Sequence, residues 1–249
     1  MTQRQPTPPP YGAVVFDCDS TLASIEGIEA LAVDASDEVR ARIGVLTAKA
    51  MDGSVPLEEA YGARLEELRP TRADVQRIGQ LYLDNALPHA RELCAAMREL
   101  GKQLFVVSGG LLAPVQCMAE FLGIPAANVF AVDVRFDASG HYAGFDEQSP
   151  LARAGGKLEV LGQIAAKTGA NLALIGDGAT DLEAAPACAR FIAFAGVEAR
   201  PAVMQAADAV CTHADLAGLL KFLCTDEELH ALANNSHHAP LLSAAKRLD

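Results

Sequence analysis

No segment of this 249-residue chain approaches the 18 or more uncharged apolar residues of a membrane span, and its start, Met1 to Pro10, lacks the basic and apolar regions of a signal peptide. A soluble protein of the cytoplasm is therefore expected. Basic residues are scarce. Twenty Lys and Arg face 32 Asp and Glu, a formal net charge of -12, which argues against a nucleic-acid surface and leaves any anionic substrate to a few local cations. The six cysteines (Cys18, Cys94, Cys117, Cys188, Cys211, Cys224) form no CxxC pair, and in apolar patterns a reduced thiol acts as a small hydrophobe. Internal repeats are absent, and the one biased tract is the proline-rich residues 1–10, expected to be a mobile lead-in. At 51% hydrophobic and 21% charged, the chain suffices for a full core in one large domain, or a domain plus an insertion.

Against that background one stretch stands out. Val14-Val15-Phe16 reads as a buried strand, and it ends in Asp17-Cys18-Asp19-Ser20-Thr21. Residues i and i+2 of a strand share a side, so two carboxylates meet at the rim of a sheet while Cys18 points into the core. Neighbouring carboxylates raise one another's pKa unless a cation compensates, and Mg2+ prefers carboxylate, carbonyl and phosphate oxygens. An Asp-rich turn with a helix cap at Ser20 or Thr21 is the commoner explanation of a lone motif of this kind. The rest of the chain decides between the two.

Helical spacing runs from Ile25 to Lys49, breaks at Asp52-Gly53-Ser54, and resumes over Leu57 to Leu68 and Thr71 to Leu83, which together predict a small helical insertion. The pattern then alternates. Pro88 to Leu100 predicts a helix, Gln103 to Val107 a strand ending in Ser108-Gly109-Gly110, and Leu111 to Leu122 a helix opened by the glycine pair. Val129 to Phe136 and His141 to Phe145 flank Asp137-Ala138-Ser139-Gly140 as a hairpin. A helix from Lys157 to Lys167, a strand from Leu172 to Ile175 before Gly176-Asp177-Gly178-Ala179-Thr180-Asp181, and strands at Phe191 to Phe194 and Ala209 to Cys211 complete the alternation. The fold predicted is α/β: a Rossmann-like, doubly wound parallel sheet with a helical cap inserted after the first strand. Its core comprises residues 11–23 and 86–224, its cap residues 24–85, and residues 225–249 form a tail without assigned chemistry. In such sheets ligands bind beyond the carboxyl ends of the strands where strand order reverses. Asp17 and Asp19, Ser108 to Gly110, and Gly176 to Asp181 all follow predicted strands, so one crevice gathers them.

Gathered, these residues suit phosphoryl chemistry. Asp17 is a candidate nucleophile, splitting one displacement into two through an aspartyl-phosphate, and Asp19 a general acid and base. Ser108 with the amides of Gly109 and Gly110 offers donors to phosphate oxygens, although a serine before two glycines is also ordinary turn chemistry. Lys157 offsets phosphoryl charge, Asp177 completes a Mg2+ shell, and Asp181 orients that shell or Lys157. In this order the motifs resemble the four motifs of haloacid dehalogenase superfamily phosphatases. The similarity is greatest to the eukaryotic-type phosphoserine phosphatases, which have counterparts of Glu26-Gly27-Ile28-Glu29, Met51 to Pro56, Tyr142 to Asp146 and Gly176 to Asp181.

That resemblance, over roughly residues 11–223, implies Mg2+ on Asp17, the backbone carbonyl of Asp19, and Asp177. It implies that Glu26 reads the amino group and Arg64 the carboxylate of O-phospho-L-serine, with Met51, Thr180 and Arg200 also touching substrate or phosphate, and it implies a homodimer. A guanidinium suits a carboxylate and a carboxylate suits an ammonium, but without the family Glu26 and Arg64 are ordinary helix-surface charges. Two positions depart from it: Leu57 replaces a phenylalanine, and Val132-Asp133 an Asn-Arg pair. The reading is a Mg2+-dependent phosphatase releasing L-serine. Its alternatives are a phosphatase or phosphotransferase for another small ester and a non-catalytic phosphometabolite sensor.

Overall fold

A computed structural model describes residues 6–51 and 55–248, and the side chains of Met51 and Leu57 lie outside what it describes. In chain order the elements are β1 (Ala13–Phe16), α1 (Gly27–Leu31), α2 (Asp37–Met51), α3 (Leu57–Leu68), α4 (Arg72–Asp84), α5 (Ala90–Glu99), β2 (Gln103–Leu111), α6 (Leu112–Leu122), β3 (Val129–Val132), β4 (Val134–Phe136) and β5 (Tyr142–Phe145). They continue with α7 (Gly156–Thr168), β6 (Leu172–Gly176), α8 (Ala179–Ala184), β7 (Arg190–Phe194), α9 (Pro201–Ala206), β8 (Ala209–Cys211), α10 (Leu220–Leu223), α11 (Asp226–Ala233) and α12 (Ala239–Leu248).

Among the described residues the main sheet has six parallel strands in the order β3-β2-β1-β6-β7-β8, as expected of a doubly wound fold. Strands covered on both faces lose the alternation of half-exposed ones. Accordingly every residue of β1 and β6 is buried. The chain moves from β1 outward through β2 and β3, then returns to the other side of β1 with β6, so the strand order reverses between β1 and β6. Phe16 is in register with Ile175, and the Asp17 N–H donates to the Ile175 carbonyl at 2.9 Å. That bond sets the ends of β1 and β6 side by side, and with them Asp17 and Asp177.

Three expectations are corrected. Ile25 to Lys49 is not one helix: after α1 a 3-10 turn at Ala32–Asp34 stops it, and Ser36 restarts it by accepting the Val39 N–H at 3.3 Å. The strand expected to stop at Val107 runs to Leu111, with an irregular register between those residues before Leu111 pairs with Val132. Ser108-Gly109-Gly110 therefore lies in the strand rather than at a helix start, and Leu111 is the N-cap of α6. Val129 to Phe136 is likewise two strands, divided at Asp133. The side chain of Asp133 is exposed, while its carbonyl accepts the Asp146 N–H at 2.8 Å at the base of the β4-β5 hairpin.

The ends of the described chain lie against the core. Thr7 N–H donates to Ala189 O at 3.0 Å, and the Tyr11 hydroxyl to Thr7 O at 2.8 Å. In α11 and α12, Leu232, Leu241 and Ala244 are buried, and Glu228 reaches the buried ammonium of Lys102 at 2.5 Å.

Candidate active site

The site forms where β1 and β6 deliver their terminal aspartates. Asp17 directly follows β1 and is buried; one carboxylate oxygen accepts the Cys18 N–H at 2.7 Å and the other lies 2.7 Å from the Lys157 ammonium. Lys157 enters from the first turn of α7, following the left-handed Gly155 (φ 73°), where glycine avoids the clash of a Cβ. Its ammonium also lies 2.7 Å from Asp181. Burial alone pulls a lysine down, but the charges of Asp17 and Asp181 outweigh it and hold Lys157 above its ordinary value.

Asp181 is fully buried in the first turn of α8, where its second oxygen caps the helix by accepting the Gly178 N–H at 3.1 Å. A methyl on Gly176 would stand 2.2 Å from the Asp181 carboxyl carbon, so only glycine lets that carboxylate fold back over the strand end. Burial pushes Asp181 up, and the ammonium of Lys157 pulls it back down. Asp177 accepts from Thr21 at 3.3 Å and from the Arg200 Nε at 3.0 Å; burial first, and then the charge of Asp17, raises its pKa.

Carboxylate oxygens of Asp17, Asp177 and Asp181 lie within 4.8 Å of one another. Three buried, hard oxygen donors gathered this closely are a fitting set for a divalent cation. The expected ligands Asp17 and Asp177 belong to this cluster. Asp181, expected to orient the shell or Lys157, is tied to Lys157.

Asp19 stands apart from Lys157. Its Oδ1 accepts the Tyr82 hydroxyl at 2.5 Å and the Gly27 N–H at 2.9 Å. Burial, then the charge of Glu26, pushes Asp19 up to about 8, against the lowering effect of the Tyr82 hydrogen bond. Ser108 is buried, and its hydroxyl accepts the Gly110 N–H at 3.0 Å. A Cβ on Gly110 would lie 3.0 Å from Asp19 Oδ2 and 3.2 Å from Ser108 Oγ, so Ser108, Gly110 and Asp19 converge on one point.

A tight turn returns Glu26 to this place. Ser20 adopts φ 50°, a left-handed conformation costing a non-glycine residue about 1 kcal/mol or more, and its hydroxyl donates to Glu26 at 2.7 Å. Arg200 spans Glu26 at 3.6 Å and Asp177. Burial pushes Glu26 up to about 7, opposed by the Ser20 bond and assisted by Glu29. Arg64 on α3 pairs with Glu29 at 3.4 Å, one turn of α1 beyond Glu26; its Nε is buried without an acceptor among the described residues, as is the hydroxyl of Tyr61 one turn earlier. Thr180 lies partly buried in the first turn of α8, Gly109 is in β2 near the Leu151 carbonyl, and the Met51 side chain is outside the described residues.

Two participants escaped the sequence. Tyr82 follows Val75 and Ile78 on the apolar face of α4, and at that spacing a tyrosine reads as core. Gly27 acts through a backbone N–H, and its one sequence signal is its place beside Glu26.

A family model described as haloacid dehalogenase-like hydrolase matches residues 11–188. The phosphoserine phosphatase of Rattus norvegicus is 41% identical over 185 residues, covering 74% of this chain and 81% of the relative. The chloroplastic phosphoserine phosphatase of Arabidopsis thaliana is 41% identical over 203 residues, covering 79% and 67%. A solved complex of phosphoserine phosphatase with bound substrate superposes with a TM-score of 0.73 at 25% identity, covering 87% of this chain and 100% of that one.

Proposed function

The chain belongs to the haloacid dehalogenase-like hydrolases, and from that premise we propose that it is a phosphoserine phosphatase, cleaving O-phospho-L-serine to L-serine and phosphate. Relatives of that name at 41% identity support the substrate, and the buried acidic cluster supports the chemistry. The observation that carries the reading is the different company of two aspartates two residues apart. Asp17 faces an ammonium, whereas Asp19 faces a neutral phenol and is pushed to about 8, so at neutral pH it holds the proton a leaving alcohol needs.

In the first step an Asp17 oxygen attacks phosphorus, the P–O bond to the serine oxygen breaks, and Asp19 gives that oxygen its proton. In the second, Asp19 takes a proton from a water as the water oxygen attacks the aspartyl-phosphate, freeing phosphate and restoring Asp17. Lys157 holds Asp17 in place and offsets the charge gathering on the phosphoryl group, and Asp181 fixes Lys157. Ser108, held by the Gly110 N–H, and the neighbouring amide of Gly109 orient phosphate oxygens, and Thr180 is assigned to the same phosphate. Asp17, Asp177 and the backbone carbonyl of Asp19 would hold Mg2+, which when bound would supply positive charge against the phosphate oxygens. Arg200 steadies Asp177 and Glu26 in position.

Glu26 takes the substrate ammonium and Arg64 its carboxylate, which gives the buried Nε an acceptor. Six cysteines without disulfides suit the reducing cytoplasm. Phosphate release from a panel of small esters, with and without Mg2+, tests the reading: L-phosphoserine should lead D-phosphoserine and phosphothreonine. Another ester leading the panel overturns the assignments of Glu26 and Arg64, and absence of Mg2+-dependent release from any ester overturns the enzyme.

A further inference from the structure

The geometry points to Tyr82 as the positioning residue for Asp19, an inference that rests on the acid and base role proposed above. Tyr82 lies on α4, whose start is fixed by the reciprocal cap of Thr71 and Asp74. The helix sits close against α6, since a Cβ on Gly79 would lie 3.3 Å from Cys117 Cβ and 3.7 Å from Pro114 Cα. The tyrosine ring is fully buried, so the hydroxyl is presented from a rigid base.

That hydroxyl sits in a cradle of two glycines. A methyl on Gly27 would come within 2.4 Å of it and one on Gly110 within 3.3 Å. From there it donates to Asp19 Oδ1, which also accepts the Gly27 N–H. With both donors on Oδ1, the other oxygen, Oδ2, is left beside Gly110 and Ser108, where phosphate and leaving oxygen are expected. Tyr82 thus selects the carboxyl oxygen that gives and takes the proton and holds it there before substrate arrives. It touches no substrate itself.

Removing only the hydroxyl, by Tyr82→Phe, separates this role from a structural one. Expulsion of an alkoxide needs a proton from Asp19, but p-nitrophenolate leaves without one. In Tyr82→Phe, kcat/KM for phosphoserine should fall about 10- to 100-fold, the scale of one hydrogen bond to an ionisable group, while kcat/KM for p-nitrophenyl phosphate stays within about 3-fold. Because aspartyl-phosphate hydrolysis also needs Asp19, kcat on the aryl ester should drop and a burst of p-nitrophenolate should emerge. Gly27→Ala, whose methyl displaces the same hydroxyl, should reproduce the split. Equal losses on both esters, or no loss on phosphoserine, overturn the inference. The unaltered protein's own rates test the functional reading separately: if it prefers another alkyl phosphate, that ester replaces phosphoserine and the same split decides on Tyr82.

Discussion

Replacing Lys157 with methionine removes an ammonium that lies 2.7 Å from both Asp17 and Asp181, with 5% of its side chain exposed. The two carboxylates are then left buried and facing one another. Breaking a buried ion pair from one side costs about 3–5 kcal/mol. For a chain of this length about 2–4 °C is lost per kcal/mol, so Tm should drop by roughly 6–20 °C. Asp181→Asn alone should cost less, about 1–3 kcal/mol, because Lys157 keeps Asp17 and the Gly178 N–H keeps an oxygen acceptor. In the double variant the methionine faces one carboxylate fewer, so the losses should fall short of additivity by about 2 kcal/mol, beyond the roughly 0.5 kcal/mol expected of independent sites. Denaturant unfolding followed by circular dichroism, in EDTA, measures all four corners of the cycle. Additive losses, or a loss below about 1 kcal/mol for Lys157→Met, would refute the view that this ion pair organises the site. Turnover should vanish in Lys157→Met at temperatures where the variant remains folded.

Arg64→Ala should raise KM for phosphoserine 10-fold or more, about the worth of a charge-assisted hydrogen bond, and leave p-nitrophenyl phosphate nearly unaffected; equal losses count against a carboxylate contact. Asp17→Asn should retain the fold and lose all turnover, and easily measured residual hydrolysis speaks against Asp17 as nucleophile. Gly110→Ala places a methyl 3.0 Å from Asp19 Oδ2, and displacements of this kind cost up to about 100-fold in rate; activity within 2-fold of the unaltered protein excludes the tight approach described. Burial pushes Asp19 up to about 8 in the folded state, from about 4 for the same carboxyl in an unfolded chain. The folded state therefore holds more protons between those values, and metal-free stability should fall as pH rises from about 5 to 8, by at most about 1.4 kcal/mol per unit. Added Mg2+ should offset the fall, whereas a metal-free Tm that climbs over this range contradicts the assignment.

The catalytic motifs were legible because each couples a buried strand to a residue type that a strand end does not ordinarily need. Asp17, Asp177 and Ser108 were found in this way, and their meeting followed from the reversal of strand order between β1 and β6. What periodicity hid was local. No Gly or Pro interrupts Ala32 to Ser36, so the 3-10 turn there left no mark in the helical pattern. Two glycines after a serine resemble a helix entry, yet here their missing side chains let β2 run on beneath Asp19 to a last pairing with Val132. Tyr82 was lost for the converse reason. Its ring obeys the core pattern of α4, and one oxygen at the ring's far end performs the task that pattern cannot reveal.

The ion pair of Lys102 with Glu228 spans 126 residues of sequence. Lys102 leads into β2, near the middle of the sheet, and its ammonium is held by the Tyr11 carbonyl at 3.2 Å and by a carboxylate from α11. On a ribosome adding about 5–20 residues per second, Glu228 is made roughly 6–25 s after Lys102. For that interval the nascent sheet carries an unanswered positive charge at a place destined for burial. The carboxylate that answers it comes from α11, which is made after the last strand of the sheet and contributes nothing to the reacting atoms.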